Sequence, residues 1–349
     1  GSQANNTTAG SNSSFGNQTL CINTTGSQNT AIGFRAMCKN TTGNDNVALG
    51  INALKLNTTG STNVAAGRDA LVSNTTAGNN IGVGSYSLKS TTTGSNNIGI
   101  GQGALCTNVT GIKNIAIGTE ALRYNTGSNN TAIGYVALDA NTTASNNTAV
   151  GESASGKNTT GAQNTTVGAG SFACNTTGSN NTAIGQAALE SNTTGGSNTA
   201  VGRKTFENVT TGSANVAIGI CAGSDASMIN ITTESNRFVA GHNDITNAYV
   251  KVDWTVTSDL RDKTEIGDVP VGLQFVNKLK PVSFRFKKSR ENPEPHGFKK
   301  YGFLAQDILE LEGSNNVIID NENDENLKVT NSHLIPVLVN AIKELKAEI

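Results

Sequence analysis

The groups in this sequence that could do chemistry are few, and they cluster towards one end. The stretch "VTSDLRDKTEI", residues 256–266, places a serine (Ser258) five positions before a lysine (Lys263). Here a proline-free chain sparse in charge turns abruptly into one dense in Lys, Glu, Asp and Pro. Taken alone, Ser258 with Asp259 reads as the start of a helix, the serine serving as N-cap for an orphan backbone N–H. The five cysteines are an odd number and cannot all pair within one chain. Cys21, Cys38 and Cys106 share one repeat position, whereas Cys174 and Cys221 do not. Buried reduced thiols acting as small hydrophobes are the preferred reading over a metal or disulfide role. His242 lies among turn residues and reads as a loop residue rather than a ligand. A calcium-binding roll would need a repeated Asp, which is absent. A glycan-cleaving site would need two carboxylates near aromatic platforms, and the repeat offers few of either. The many Asn-Thr-Thr triplets match a glycosylation acceptor pattern, but a Thr/Asn turn repeat produces them automatically. An ice-binding face would need a flat threonine array, and these threonines fall mainly in expected turns. Neither a cofactor nor a metal is expected.

These groups are carried by two unlike halves. Of 25 basic and 26 acidic residues, about 28 fall in the last 92 positions. All five prolines, all three histidines and the single tryptophan lie beyond residue 240. A boundary is therefore expected near 250–258. The net charge of -1 offers no basic footprint for nucleic acid. No run of 18 apolar residues appears, and no secretory signal opens the chain, so no membrane insertion is expected. Gly1-Ser2 reads as a cloning scar, which implies that a natural N-terminal attachment region is missing.

Residues 13–219 repeat one motif, typically "NTTGSNNTAIGxxAL", thirteen times. Its glycine recurs at Gly16, Gly33, Gly50, Gly67, Gly84, Gly101, Gly118, Gly134, Gly151, Gly168, Gly185, Gly202 and Gly219. The spacing is 17 except between Gly118 and Gly134, where a turn threonine is missing. A fixed period of this size predicts a solenoid with one coil per copy. The residue before each glycine (Ile32, Leu49, Ile100, Ile117) is apolar and expected to face the coil interior. The residue before that (Ala31, Ala48, Ala116) is always small and, one strand position away, is expected to face outward against a neighbouring chain. A second apolar column (Leu20, Met37, Leu54, Leu71) follows the first by five positions, so both can point inward only if the chain bends between them. The glycine suits that corner, and stacked asparagines can form side-chain ladders. At about 4.8 Å per coil the thirteen coils would make a rod on the order of 60 Å long. The motif resembles the parallel β-roll of trimeric autotransporter adhesin heads and the repeat shafts of phage tail fibres, over about 60% of the chain. That resemblance implies three chains sharing the rod, either as single-chain rolls or as an intertwined triple β-helix.

From Ser224 the period is lost, and "NRFVAGHNDITNAYVKVDWTV" reads as short alternating strands, with Gly241, Asn243 and Asp244 as turn residues and Trp254 capping the rod. Beyond it, "SDLRDKTEI", "GLQFVNKLKPVSFRFK" (272–287), "YGFLAQDILELEG" (301–313) and "LIPVLVNAIKELKAEI" (334–349) follow in order. Together they resemble the self-cleaving intramolecular chaperone domain of phage tailspikes and tail fibres, the endosialidase type, over essentially all of 258–349. The resemblance implies a Ser–Lys dyad, here Ser258 and Lys263, that cuts between Thr257 and Ser258. A hydroxyl needs a base, and a lysine serves only where burial or nearby cations lower its pKa from about 10.4. Asp259 and Arg261 match the opening motif and are expected to position it. Asp262 stands where relatives are often apolar. Gln306, in "GFLAQD", is expected to be structural before catalytic.

In the last helix Ile335, Leu338, Ile342, Leu345 and Ile349 are spaced 3, 4, 3, 4, a coiled-coil seam, with Pro336 in the first turn. The seam alone would suit a parallel dimer; the trimer comes from the resemblance. The expected architecture is mainly β. It comprises a trimeric parallel β-solenoid (β-roll) shaft of about 17-residue coils over 3–223, a β connector over 224–257, and a small α+β chaperone domain over 258–349 ending in the coiled-coil helix. The expected function is a homotrimeric tail fibre or tailspike of a virion, folded in the host cytoplasm, whose partner is a host-cell surface receptor or glycan. The competing expectation is a trimeric bacterial adhesin head. That class should end in a membrane-anchoring barrel, and this chain ends in "IKELKAEI".

Overall fold

The computed structural model describes residues 10–349 apart from 226–228, 243, 246–247, 252–254, 289, 315 and 323. The readings of Asn243 as a turn residue and Trp254 as a cap lie outside the described residues. The chain divides into two units, one running to His242 and the other taking in everything from Asp244 on.

The first unit is a parallel β-solenoid. Thirteen three-residue strands, β1 (Ser13–Phe15) through β13 (Val216–Ile218), pair in sequence order within one sheet. Each pairing sets equivalent repeat residues side by side, as in Thr30, Ala31 and Ile32 against Val47, Ala48 and Leu49. The bonds run to the next coil of the same chain: Gly33 N donates to Phe15 O at 2.9 Å and Gly50 N to Ile32 O at 2.8 Å. This is a single-chain roll, which sets aside the intertwined alternative. Glycine is required at the corner on two counts. Gly118 has φ +133, and a Cβ there would lie 2.3 Å from Gly134 O in the next coil.

The two strand columns face opposite ways, but not in the expected sense. Ala31, Ala48 and Ala116 are fully buried, whereas Ile32 is 44% exposed and Leu49, Ile100, Ile117 and Ile133 are exposed with it. Strand alternation dictates opposite faces without dictating which is inside. The lumen decides, because the leucine column already fills it: a Cβ on Gly82 would meet Leu71 Cγ at 3.3 Å. Only a small side chain fits opposite, so the branched residues are turned out.

The leucine column is inside, as expected. Leu20, Met37, Leu54, Leu71 and Leu122 are wholly buried. The bend that brings them in is a left-handed one, with φ of 57° at Asn52 and 49° at Leu54. That conformation costs a non-glycine residue about 1–2 kcal/mol, and burying a leucine returns about 1.5–3 kcal/mol. In the ninth coil Ser155 replaces the leucine, and in the next strand the small residue is Thr166 where most coils have Ala or Gly. Their hydroxyls pair at 3.0 Å in the interior, and Phe172, fully buried one coil on, fills the adjoining space.

The asparagines do more than turn the chain. Asn29, Asn46, Asn63, Asn80 and Asn97 are buried in single file. The backbone N–H of each of the last four donates to the previous side-chain oxygen at 2.9–3.0 Å. The Nδ2 of Asn46 donates to Gly60 O at 2.9 Å, so its buried amide is paired on both ends. A second file, Asn23, Asn40, Asn57 and Asn74, is bonded side chain to side chain, each Nδ2 after the first donating to the previous Oδ1 at 2.7–2.8 Å. This second file breaks at Thr91, which takes an asparagine's place and leaves Asn74 Oδ1 without a partner among the described residues, and again at the missing threonine. Asn108 Oδ1 is buried without a hydrogen-bond partner among the described residues, while Asn125 Oδ1 still receives Asn141 Nδ2 at 2.7 Å.

The rod also runs one coil beyond the period. After two-residue strands β14 (Ser224–Asp225) and β15 (Ile229–Asn230), strand β16 (Phe238–Ala240) pairs in parallel with β13, Val239 taking the buried place of Ala217. The insertion before it hid this coil from a 17-residue count, although "FVAG" keeps the strand-then-glycine order.

The second unit is α+β. It contains a four-residue helix α1 (Leu273–Val276), an antiparallel hairpin β17 (Val282–Lys287) and β18 (Pro295–Gly302), helix α2 (Ala305–Glu312), a short pair β19 (Ile319–Asp320) and β20 (Lys328–Val329), and helix α3 (Leu334–Glu348). Its core is small: Phe275, Ile308, Ile318, Ile319, Leu334 and Val337. Pro336 sits in the first turn of α3, where its missing N–H costs nothing.

Candidate functional site

Residues 255–259 form neither strand nor helix, and Thr257 and Ser258 are exposed. A single 3₁₀ turn follows at Leu260–Asp262, and its N-cap is Asp259 rather than Ser258. Asp259 Oδ1 accepts from Arg261 N at 2.9 Å. The Arg261 side chain folds back on the same carboxylate, Nε donating to Oδ1 at 3.0 Å and Nη2 to Oδ2 at 2.6 Å. The guanidinium holds the Asp259 carboxyl below its usual range, and the carboxylate raises the Arg261 pKa in return. Asp262, exposed, belongs to the turn itself.

With capping assigned to Asp259, the Ser258 hydroxyl is released from the role a local reading gives it. Five residues in extended form span roughly 17 Å. The turn, closed by Lys263 N donating to Leu260 O at 3.2 Å, shortens that path. Lys263 Nζ thereby reaches Ser258 Oγ and donates to it at 2.6 Å. The two atoms are within the reach a serine nucleophile needs of a base, although the bond must reverse, with the hydroxyl donating, before the lysine can act as one. Both side chains are exposed along the single chain. Gln306 lies exposed on α2 and makes no hydrogen bond with either of them.

The seam residues of α3 occupy one exposed stripe, with Ile335 at 61% and Ile342 at 66%, and Leu338, Leu345 and Ile349 also open. The inward face of the same helix uses Leu334, Val337 and Ala341 instead. An exposed apolar stripe on an otherwise satisfied helix marks an interaction surface.

Some structural residues escaped the sequence reading. Glu312, the last residue of α2, accepts from the N–H groups of Val317, Ile318 and Ile319 at 2.9, 2.7 and 3.0 Å and so shapes the approach to β19. A signal existed: an acid at a helix C-terminus opposes the helix dipole and asks for another reason. The cysteines also differ from expectation, being partly exposed rather than buried, and all are free. Cys21, Cys38 and Cys106 each follow an inward Leu or Met and are turned aside from the lumen. The sulfurs of Cys21 and Cys38 stack 2.8 Å apart across neighbouring coils. Partial burial and that contact push the Cys38 thiol up to about 11. His242 lies in a loop, and its Nε2 is 3.0 Å from Asp225 Oδ2. Among the described residues no group of three or more His, Cys, Asp or Glu is placed to hold a metal ion. No helix among them is long and apolar enough to cross a membrane.

Residues 258–317 match the peptidase family described as the chaperone of endosialidase. The match opens on Ser258 and closes at Val317, short of α3. The chain therefore joins a parallel β-solenoid to a segment similar to this self-cleaving chaperone family. No curated protein and no solved structure matches the chain.

Proposed function

We propose that this protein is a bacteriophage tail fibre or tailspike shaft whose C-terminal domain drives homotrimer formation and is then released by a single autoproteolytic cut. The observation that carries the reading is the 2.6 Å contact between Lys263 Nζ and Ser258 Oγ, at the first residue of the chaperone match. Once Lys263 has lost its proton, it takes the proton of the Ser258 hydroxyl. Oγ attacks the Thr257 carbonyl carbon, the Thr257–Ser258 C–N bond breaks, and the departing Ser258 nitrogen is protonated to the amine. Water then hydrolyses the ester on Oγ, leaving a carboxylate on Thr257. Asp259 and Arg261 serve this step by holding the turn.

Two exposed apolar stripes support association. One is the seam of α3, and the other is the outward column of the shaft, Ile32, Leu49, Ile100, Ile117, Ile133 and Ile184. Lysine works as a base only where water is kept from it, and the single chain leaves Ser258 and Lys263 open. Neighbouring chains supply that cover, so cutting follows assembly. In this reading the mature shaft resides in the virion and meets a host-cell surface receptor or glycan.

Intact mass and a denaturing gel test the cut. Wild type yields a fragment starting at Ser258 and running to Ile349, and Ser258→Ala or Lys263→Ala stays full length. A wild-type chain that assembles and is never cut removes the peptidase role and leaves the chaperone role standing.

A further inference from the structure

Helix α3 presents a third face, used neither by the core nor by the seam. Asn340 and Glu344 lie one turn apart on it, and at about 100° per residue they stand opposite the seam of Ile335, Leu338, Ile342 and Leu345. Both reach across to the backbone that leads away from the dyad. Glu344 Oε2 accepts from Leu273 N at 2.6 Å, one of the donors that the start of α1 leaves without a helical partner. Asn340 Nδ2 donates to Val271 O at 3.0 Å and Val269 O at 3.3 Å, and to Glu344 Oε1 at 3.2 Å. Gly272 lies directly beneath: a Cβ there would meet the Glu344 carboxylate, 2.4 Å from its Cδ. The glycine is thus required for the carboxylate to come this close.

These bonds hold the root of an otherwise open arm. Residues 255–268 are exposed apart from the half-buried Asp259. The hydrogen bonds within that stretch are those of the 3₁₀ turn and the Ser258–Lys263 contact. The first ties from the arm's C-terminal end to the body of the domain are those made by Asn340 and Glu344 at residues 269–273. We infer that Asn340 and Glu344 are positioning residues for self-cleavage, clamping the root of the dyad arm to α3 and so setting where Ser258 and Lys263 stand. This rests on the dyad reading above.

The test follows newly made, labelled full-length chain in cell-free translation. A denaturing gel reads cutting and a native gel reads assembly. Glu344→Ala and Asn340→Ala are expected to assemble as wild type and to cut about tenfold more slowly, the equivalent of about 1.4 kcal/mol in the barrier. Glu344→Gln keeps an acceptor for Leu273 N and is expected to recover most of the rate, which a loss of charge alone would not allow. Ser258→Ala is the uncut reference. If wild type itself is never cut, the dyad reading fails and the clamp with it. If wild type is cut and the alanine variants are cut just as fast, the clamp is overturned and the dyad stands. Should either alanine variant fail to assemble, Gly272→Ala decides, since its Cβ displaces the Glu344 carboxylate while every residue of α3 stays unchanged. Slowed cutting in an assembled Gly272→Ala chain supports the clamp, and wild-type cutting overturns it. Failure of Gly272→Ala to assemble also overturns it, because the contact would then build the domain rather than place the dyad.

Discussion

Ala116 and Ile117 are neighbours in one strand with opposite fates, and they state the energetics of the whole repeat. Ala116 is fully buried in the core beside the leucine column, so Ala116→Leu is expected to lower the shaft's stability by about 1–3 kcal/mol through overpacking. Ile117→Ser, on the exposed side, is expected to leave the stability of a single chain within about 0.5 kcal/mol while weakening association. Calorimetric melting together with light scattering separates the two effects. Asp139 offers a pH-dependent case. Burial pushes its carboxyl up from the ordinary value, with Glu120 adding to the rise and Arg123 opposing it. Its Oδ1 is buried with no hydrogen-bond partner among the described residues. An acid whose folded-state pKa is raised binds its proton more tightly when folded. Its contribution to stability is therefore present below the unfolded value and is lost as pH rises through the folded value. Asp139→Asn should melt above wild type at pH 7 and match it near pH 3, below the ordinary carboxylate range of about 3.9. A melting temperature raised equally at both pH values would show that ionisation is not the cause.

At the scale of elements, the coil is a device for satisfying polar groups in a narrow lumen. One buried Leu and two small side chains per coil give a thin apolar core, and the files of asparagine make up for it by bonding coil to coil. Helix α3 is the other decisive element, because its three faces differ: one buried, one an exposed apolar stripe, and one bonded to residues 269–273 through Asn340 and Glu344. Ile342→Asp places a charge on the exposed seam, away from Leu334, Val337 and Ala341. The variant is expected to keep its helical circular dichroism and lose its oligomer in sedimentation velocity. Loss of helicity instead would mean that the seam residue supports the fold of the domain itself.

At the scale of the molecule, the proposed trimer would have to align a long in-register solenoid across three chains, a slow and aggregation-exposed process. The proposed folding template, cut away afterwards, would answer that difficulty. Residues 1–257 made without 258–349 are expected to aggregate or remain monomeric, whereas the same shaft released by cleavage stays trimeric. Size-exclusion chromatography with light scattering distinguishes these outcomes, and a soluble trimer from the truncated chain would remove the chaperone's purpose.

The period, the corner glycines, the inward leucines and the seam of α3 were all legible in the sequence, because each is a spacing and spacing survives without coordinates. The two residues of the proposed dyad were named only through resemblance to a family, and their local pattern alone pointed to a serine cap. Only the tertiary structure decided the rest. Which strand column faces in depended on the room left by Leu71 and its counterparts. Asp259 rather than Ser258 caps the turn because its carboxylate can also hold Arg261. The coil at Phe238–Ala240 became visible only when its strand paired with β13. The clamp from Asn340 and Glu344 joins residues some seventy positions apart. Sequence periodicity reports what repeats along a chain, and volume, capping competition and long-range contact are properties of the chain folded on itself.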